Sequence, residues 1–139
     1  GGLVSTAADW IRFTRMLLNG GSLEGVRILK FQSVAEMGRN QITREQGPLF
    51  WRDKPSPDAP GRFDGYGWGY GIGVRLEQGP WTMPGTPGEL FWGGMASTNY
   101  LIDRRNRLVA LAFSQYLGAD GDAQDYVMRE ALYGPLVKR

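Results

Sequence analysis

Two runs of helical periodicity, a block of short glycine-punctuated strands and a last helical run near the C-terminal end predict an α+β fold. Helices and strands come in separate runs rather than alternating, which argues against a parallel α/β sheet and for antiparallel pairing. At 139 residues the chain has the size of one domain, able to bury roughly two-thirds of its unfolded surface. The pattern divides it into a helical segment over 1–45, an irregular loop over 46–65, and an antiparallel sheet block with a C-terminal helix over 66–139.

The first helix is predicted over 5–19. Ser5 or Thr6 can accept a hydrogen bond from an unpaired backbone N–H, and Asp9 suits the positive end of the helix dipole. Trp10, Phe13, Thr14 and Leu17 fall at i, i+3, i+4 and i+7, and Ile11 and Leu18 widen that stripe. Asn19-Gly20-Gly21 ends the helix with residues that tolerate positive φ. Leu23–Leu29 reads as a short hairpin turning around Gly25. A second helix, about 32–40, carries Val34 and Met37 inward. From 41 to 65 the periodicity dissolves among Pro48, Pro55, Pro57 and Pro60, with Phe50-Trp51 as the apolar pair. An irregular segment this long is uncommon in a compact domain, and often functional when ordered. Phe50 and Trp51 either pin it to the body or line a cleft.

Tyr66–Leu76 is predicted as one strand. Tyr66, Trp68, Tyr70, Ile72, Val74 and Leu76 share a face, and Gly67, Gly69, Gly71 and Gly73 share the other. These glycines lie inside the alternation and no helix follows them, so they do not form a phosphate-binding loop. Gln78–Gly88 is a loop rich in Gly and Pro that contains Trp81 and Met83. Residues 97–103 and 107–115 pair through a turn at Asp103–Asn106, giving an antiparallel hairpin. Gly118–Gly121 breaks the sheet and Asp122 caps the last helix. Its predicted buried stripe is Ala123, Val127, Ala131 and Leu132, with Pro135 ending it.

What the composition lacks narrows the chemistry. There is no cysteine, hence no disulfide, no thiolate ligand and no thiol nucleophile in these residues. There is no histidine, so neither a Ser-His-Asp triad nor an H-E-x-x-H zinc site can be assembled. Acyl-transfer chemistry would need another base, such as Lys or Tyr. Sixteen basic and fourteen acidic residues leave a formal charge of +2, and no basic run interleaves with aromatics, so nucleic acid is not an expected partner. No apolar run approaches the roughly 18–20 residues of a membrane span. No motif calls for a cofactor, and none is expected. A start on Gly1-Gly2-Leu3-Val4, without an initiator Met, predicts a chain cut from something longer.

The stretch with most chemical content is Glu89–Asp103. It opens with Phe91 and Trp92, loses its side chains at Gly93 and Gly94, and then alternates polar and apolar residues. Mid-strand glycines weaken cross-strand packing, and are expected at bulges or where a ligand or another backbone comes close. Trp92-Gly93-Gly94 therefore reads either as one wall of a site or as a tight turn between two structural strands.

Ordered matches along the chain resemble the C-terminal part of the serine β-lactamase and penicillin-binding-protein-like superfamily, above all its class C and family VIII esterase branch. They are G-G-L-V-S-T-A-A-D-W at 1–10, L-L-N-G-G-S-L-E-G-V-R-I-L at 17–29, S-V-A-E-M at 33–37, Y-G-W-G-Y-G-I-G-V at 66–74, F-W-G-G at 91–94 and I-D at 102–103. The resemblance implies the C-terminal portion of the β-lactamase/transpeptidase-like fold. It also implies a serine hydrolase, esterase-like or acyltransferase, working through a covalent acyl-enzyme on a small-molecule ester or amide. Trp92, Gly93 and Gly94 fall on the third motif of that superfamily, K-T-G in β-lactamases and often W-G-G in the esterases. By the same resemblance the backbone N–H of Met95 serves the oxyanion hole.

Two motifs of the superfamily are missing. No serine is followed three residues later by lysine, and no tyrosine is followed at the second position by asparagine. Both motifs, Ser-x-x-Lys and Tyr-x-Asn, are expected upstream, so this chain is expected to need an N-terminal portion of the same protein and to be inactive alone. Trp92 in place of lysine removes a cation for a substrate carboxylate, which favours ester chemistry over β-lactam hydrolysis. The alternatives are a β-lactamase or D-amino-acid peptidase of the same fold, a non-catalytic binding relative with Trp51, Trp68, Trp81 and Trp92 lining a groove, or an unrelated α+β domain.

Overall fold

The computed structural model describes residues 3–42, 65–77, 83–117 and 121–137. Helix α1 spans Ala7–Leu18, and Thr6 at its N-cap accepts from the Asp9 N–H at 3.1 Å while its hydroxyl reaches Asp9 Oδ2. Strands β1 (Ser22–Leu23) and β2 (Val26–Arg27) pair across Glu24-Gly25. Both turn residues are left-handed, with φ of 50° and 82°, as the tight primed hairpin turn demands. Helix α2, Phe31–Met37, follows.

Five strands then form an antiparallel sheet in the order β3-β4-β5-β6-β7. They are β3 Tyr66–Trp68, β4 Gly73–Arg75, β5 Leu90–Gly94, β6 Thr98–Asp103 and β7 Leu108–Ala112. The chain closes with α3, Gly121–Val137. The architecture is the expected α+β one, with helices on both faces of an antiparallel sheet. Met16, Leu17, Val34, Ile72, Val74, Leu90 and Ile102 form the core, so α1 and α2 cover one face. Alternation along β5 and β6 turns Glu89 and Asp103 to the other face, where α3 meets them through Arg129 and Tyr133. Among the described residues no helix is long and apolar enough to cross a membrane.

The structure corrects three details of the sequence reading. Tyr66–Leu76 is a hairpin, not one strand: β3 pairs with β4, placing Tyr66 opposite Arg75 and Trp68 opposite Gly73. The chain reverses at Gly71 with φ of 72°, and the Gly69 N–H closes the turn on the Ile72 carbonyl at 2.8 Å. A side chain at Gly69 would run into the Met37 carbonyl, so α2 packs directly on this turn. On α1, Met16 is buried while Ile11 and Phe13 stay over a third exposed.

The third correction concerns α3. Gly121 is already helical, which puts Asp122 inside the first turn rather than at the cap, and the helix continues past Pro135 to Val137. Of the predicted stripe, Ala123, Val127 and Ala131 are exposed and Leu132 is half-buried. The buried face is carried by Arg129 and Tyr133 instead. Polar groups occupy it because the sheet offers them buried carboxylates, which satisfies both sides. The loop over 46–65 lies outside the described residues except for Gly65, as do Trp81 and 118–120.

Candidate active-site strand

β5 owes its position to continuous pairing with β6, from Leu90 opposite Ile102 to Gly94 opposite Thr98. On its other side β4 reaches only Leu90 and Phe91. Among the described residues, Gly93 and Gly94 thus have ladder partners on the β6 side alone. Trp92, about a third exposed, stacks edge-on against Trp68 with ring centroids 4.3 Å apart. Opposite Trp92 on β6, burial pushes the Tyr100 hydroxyl up to about 12, so that phenol is neutral in ordinary conditions.

The glycines have an intramolecular reason. A Cβ at Gly94 would come within 2.5 Å of Thr98 Oγ1, and one at Gly93 would run into the Asn99 side chain. Side chains of β6 thus fold across the space that β5 leaves open. The Asn99 side-chain amide nitrogen is buried there without a hydrogen-bond partner among the described residues.

After Gly94 the chain turns through Met95-Ala96-Ser97. The Ser97 N–H bonds the Gly94 carbonyl at 2.9 Å, and Ser97 takes φ of 62°. The segment following β7 holds this turn in place. Tyr116 N–H donates to the Ala96 carbonyl, Ser97 Oγ donates to the Tyr116 carbonyl at 2.8 Å, and Ser114 Oγ donates to the Ser97 carbonyl at 3.0 Å. Met95 is 89% exposed at the tip, and its N–H has no hydrogen-bond partner among the described residues. The turn thus presents a backbone donor that is unbonded among the described residues. The predicted residues Trp92, Gly93, Gly94 and Met95 run consecutively from the end of β5 into this turn.

At the other end of β5 lies a cluster that sequence reasoning missed. Arg75, Glu89, Asp103, Arg129 and Tyr133 are at most 2% exposed. Arg129 Nη1 meets Glu89 Oε1 at 2.5 Å and its Nε meets Asp125 Oδ2 at 2.9 Å. Tyr133 Oη lies 2.8 Å from Glu89 Oε2 and 2.9 Å from Asp103 Oδ2. Arg75 Nε is 3.9 Å from Glu89 Oε1, and its guanidinium stacks 4.8 Å over the Tyr66 ring. Burial raises Glu89 above the usual carboxylate range against the opposing pull of both arginines. Asp103 sits below that range because donors from Asn106, Thr86 and Tyr133 outweigh its burial. The signal on α3 was local, since Asp125, Arg129 and Tyr133 follow at i, i+4 and i+8; their acidic partners are tens of residues away. Among the described residues no three His, Cys, Asp or Glu side chains come together to hold a metal ion.

A family model described as Beta-lactamase matches residues 1–133. Two curated relatives from Mycobacterium tuberculosis match as well: "Uncharacterized protein MT1414" of strain CDC 1551 / Oshkosh and "Protein Rv1367c" of strain ATCC 25618 / H37Rv. Each is 34% identical over 125 residues, which is 84% of this chain and 28% of the relative. The chain therefore spans little more than a quarter of their length. Among solved structures, the LovD6 mutant of simvastatin synthase (LovD) from Aspergillus terreus superimposes with a TM-score of 0.72 at 18% identity, covering 97% of this chain and 34% of that one. EstCE1, described as a hydrolase with promiscuous acyltransferase activity, gives 0.67 at 22% identity, covering 94% and 30%. At these identities the two structures establish the fold.

Proposed function

Because the chain belongs to the Beta-lactamase family, we propose that it supplies one wall and one oxyanion donor of a serine acyl-transfer site. Trp92-Gly93-Gly94 is the wall, and the Met95 N–H is the donor. The substrate is a small-molecule ester or amide. Its carbonyl is attacked by a serine oxygen, the carbonyl oxygen takes the negative charge, and collapse to the acyl-enzyme expels the alcohol or amine. A donor held in place before the reaction and aimed at that oxygen lowers the barrier without reorganisation.

The Met95 amide is the observation that carries this reading: exposed, unbonded among the described residues, and set on a turn braced by Ser97, Ser114 and Tyr116. The nucleophile of a Ser-x-x-Lys motif and the tyrosine of a Tyr-x-Asn motif are then supplied by an N-terminal portion outside these 139 residues, which lack both patterns. On this reading the 139 residues are inert by themselves. Trp92 at the head of the motif offers an aromatic surface where β-lactamases place a cation, which supports ester hydrolysis or acyl transfer rather than β-lactam cleavage. The fold shared with simvastatin synthase and EstCE1 is consistent with it.

The test is a fluorophosphonate probe applied to the full gene product, followed by peptide mapping. Labelling of one serine outside the 139 residues, with none on the 139-residue chain alone, is the expected result. A full-length protein that takes no label, or takes it on Ser97 or Ser114, overturns the proposal.

A further inference from the structure

The buried cluster at the root of β5 contains one more acceptor than its protons can serve if both carboxylates are ionised. Tyr133 Oη lies within hydrogen-bond distance of Glu89 Oε2 and of Asp103 Oδ2 at once. A phenol has a single proton and can donate to only one of them. The other oxygen pair, buried away from water, needs a proton of its own or is left as two facing lone pairs.

The surroundings say which carboxyl carries it. Asp103 is already an anion's site: Oδ1 accepts from the N–H groups of Arg105 and Asn106, each at 2.9 Å, and Oδ2 accepts from Thr86 Oγ1 at 2.7 Å and Asn106 Nδ2 at 2.8 Å. Glu89 is met by Arg129 at Oε1 and by Tyr133 at Oε2. We propose that Glu89 is a neutral acid whose Oε2 donates to Tyr133, while Tyr133 donates to the Asp103 carboxylate. The result is a proton-dependent clasp fastening α3 to the root of β5. Arg129 donates to the Glu89 carbonyl oxygen, and every proton in the chain has an acceptor. Tyr133 is the positioning residue in this arrangement, since it joins β5, β6 and α3 through one hydroxyl.

The groups that face Glu89 from the elements around it are Arg75 on β4, Tyr66 on β3, Asp103 on β6, and Asp125, Arg129 and Tyr133 on α3. Both arginines favour the anion; burial at 0% exposure and the donor-poor Oε2 favour the acid. The sign of the pH effect separates the two acids. Glu89, raised in the fold, loses stability for the protein as pH climbs from its unfolded value of about 4.3 through its folded value. Asp103, lowered in the fold, loses stability as pH falls below its unfolded value of about 3.9.

The experiment follows carbon-13 in the glutamate side-chain carboxyls of the full gene product through a pH titration, assigning Glu89 by the signal lost in Glu89→Gln. One glutamate that stays protonated well above the ordinary range, and keeps its proton less firmly in Tyr133→Phe, is the expected result. Thermal unfolding of the wild-type protein should weaken with rising pH across that window, and Glu89→Gln should remove that slope. A Glu89 signal that titrates at or below the ordinary glutamate value overturns the proposal, as does an unchanged slope in Glu89→Gln.

Discussion

A methyl group on Gly85 would lie 2.7 Å from Arg75 Nε, Arg75 Nη2 and Glu89 Oε2. Neither side chain can yield, because both are fully buried and tied to neighbours. Gly85→Ala should therefore act as overpacking and cost about 1–3 kcal/mol, read as a lower urea midpoint with an unaltered slope. An unchanged midpoint would show that the cluster gives way at little cost. Nothing near Gly85 in the sequence announced this. Its neighbours Pro84 and Pro87 mark a loop, and a loop needs no further reason for a glycine. The cause lies in Arg75 and Glu89, which only folding brings against it. The same holds for Glu89, which the sequence shows only as the acidic first residue of the 89–103 stretch. By contrast the end of β5 at Gly94 was legible, since two adjacent glycines after an aromatic pair break a strand's pattern visibly.

At the scale of elements, local signals were reliable where the element makes its own case. Helix α1 is capped by one of the two residues the sequence offers for it: Thr6 accepts from the Asp9 N–H, and Thr6→Ala should cost about 1 kcal/mol in thermal or urea unfolding. A loss near zero would mean that Ser5 takes over the cap. The hairpins β1–β2 and β6–β7 also stand where their turns predict them. The β3–β4 hairpin did not, because its four-residue turn over 69–72 keeps the alternation of aromatic residue and glycine running through the reversal. Period-2 patterning cannot distinguish a long strand from two short ones in that case; Gly71 with its left-handed φ was the turn residue among four candidates. On α3, apolar periodicity selected Ala123, Val127 and Ala131, small or isolated groups with little area to bury. The helix instead buries Arg129 and Tyr133, whose partners Glu89, beside β5, and Asp103, on β6, are carboxyl groups that an apolar pattern ignores. Isolated buried charges are costly, and paired ones hold a helix in one register.

Across the whole molecule, β5 links two unlike ends. Its root at Glu89 and Leu90 is clamped between the core on one face and the charged cluster on the other. Its far end, roughly 13 Å away at the usual strand rise, carries Gly94 and the exposed Met95 tip. A clamped root, and at the tip a donor unbonded among the described residues, are what the proposed oxyanion role asks of this strand. The central claim is that this N–H stabilises the oxyanion, and one comparison in the full gene product addresses it directly: hydrolysis of a short-chain nitrophenyl ester by Met95→Pro, which removes the N–H, and by Met95→Ala, which keeps it. With both variants folded by circular dichroism, Met95→Pro should lose about 100- to 1,000-fold in kcat, about 3–4 kcal/mol of transition-state stabilisation, and Met95→Ala far less. Equal losses in the two variants, or a Met95→Pro protein that keeps its rate, would contradict the account.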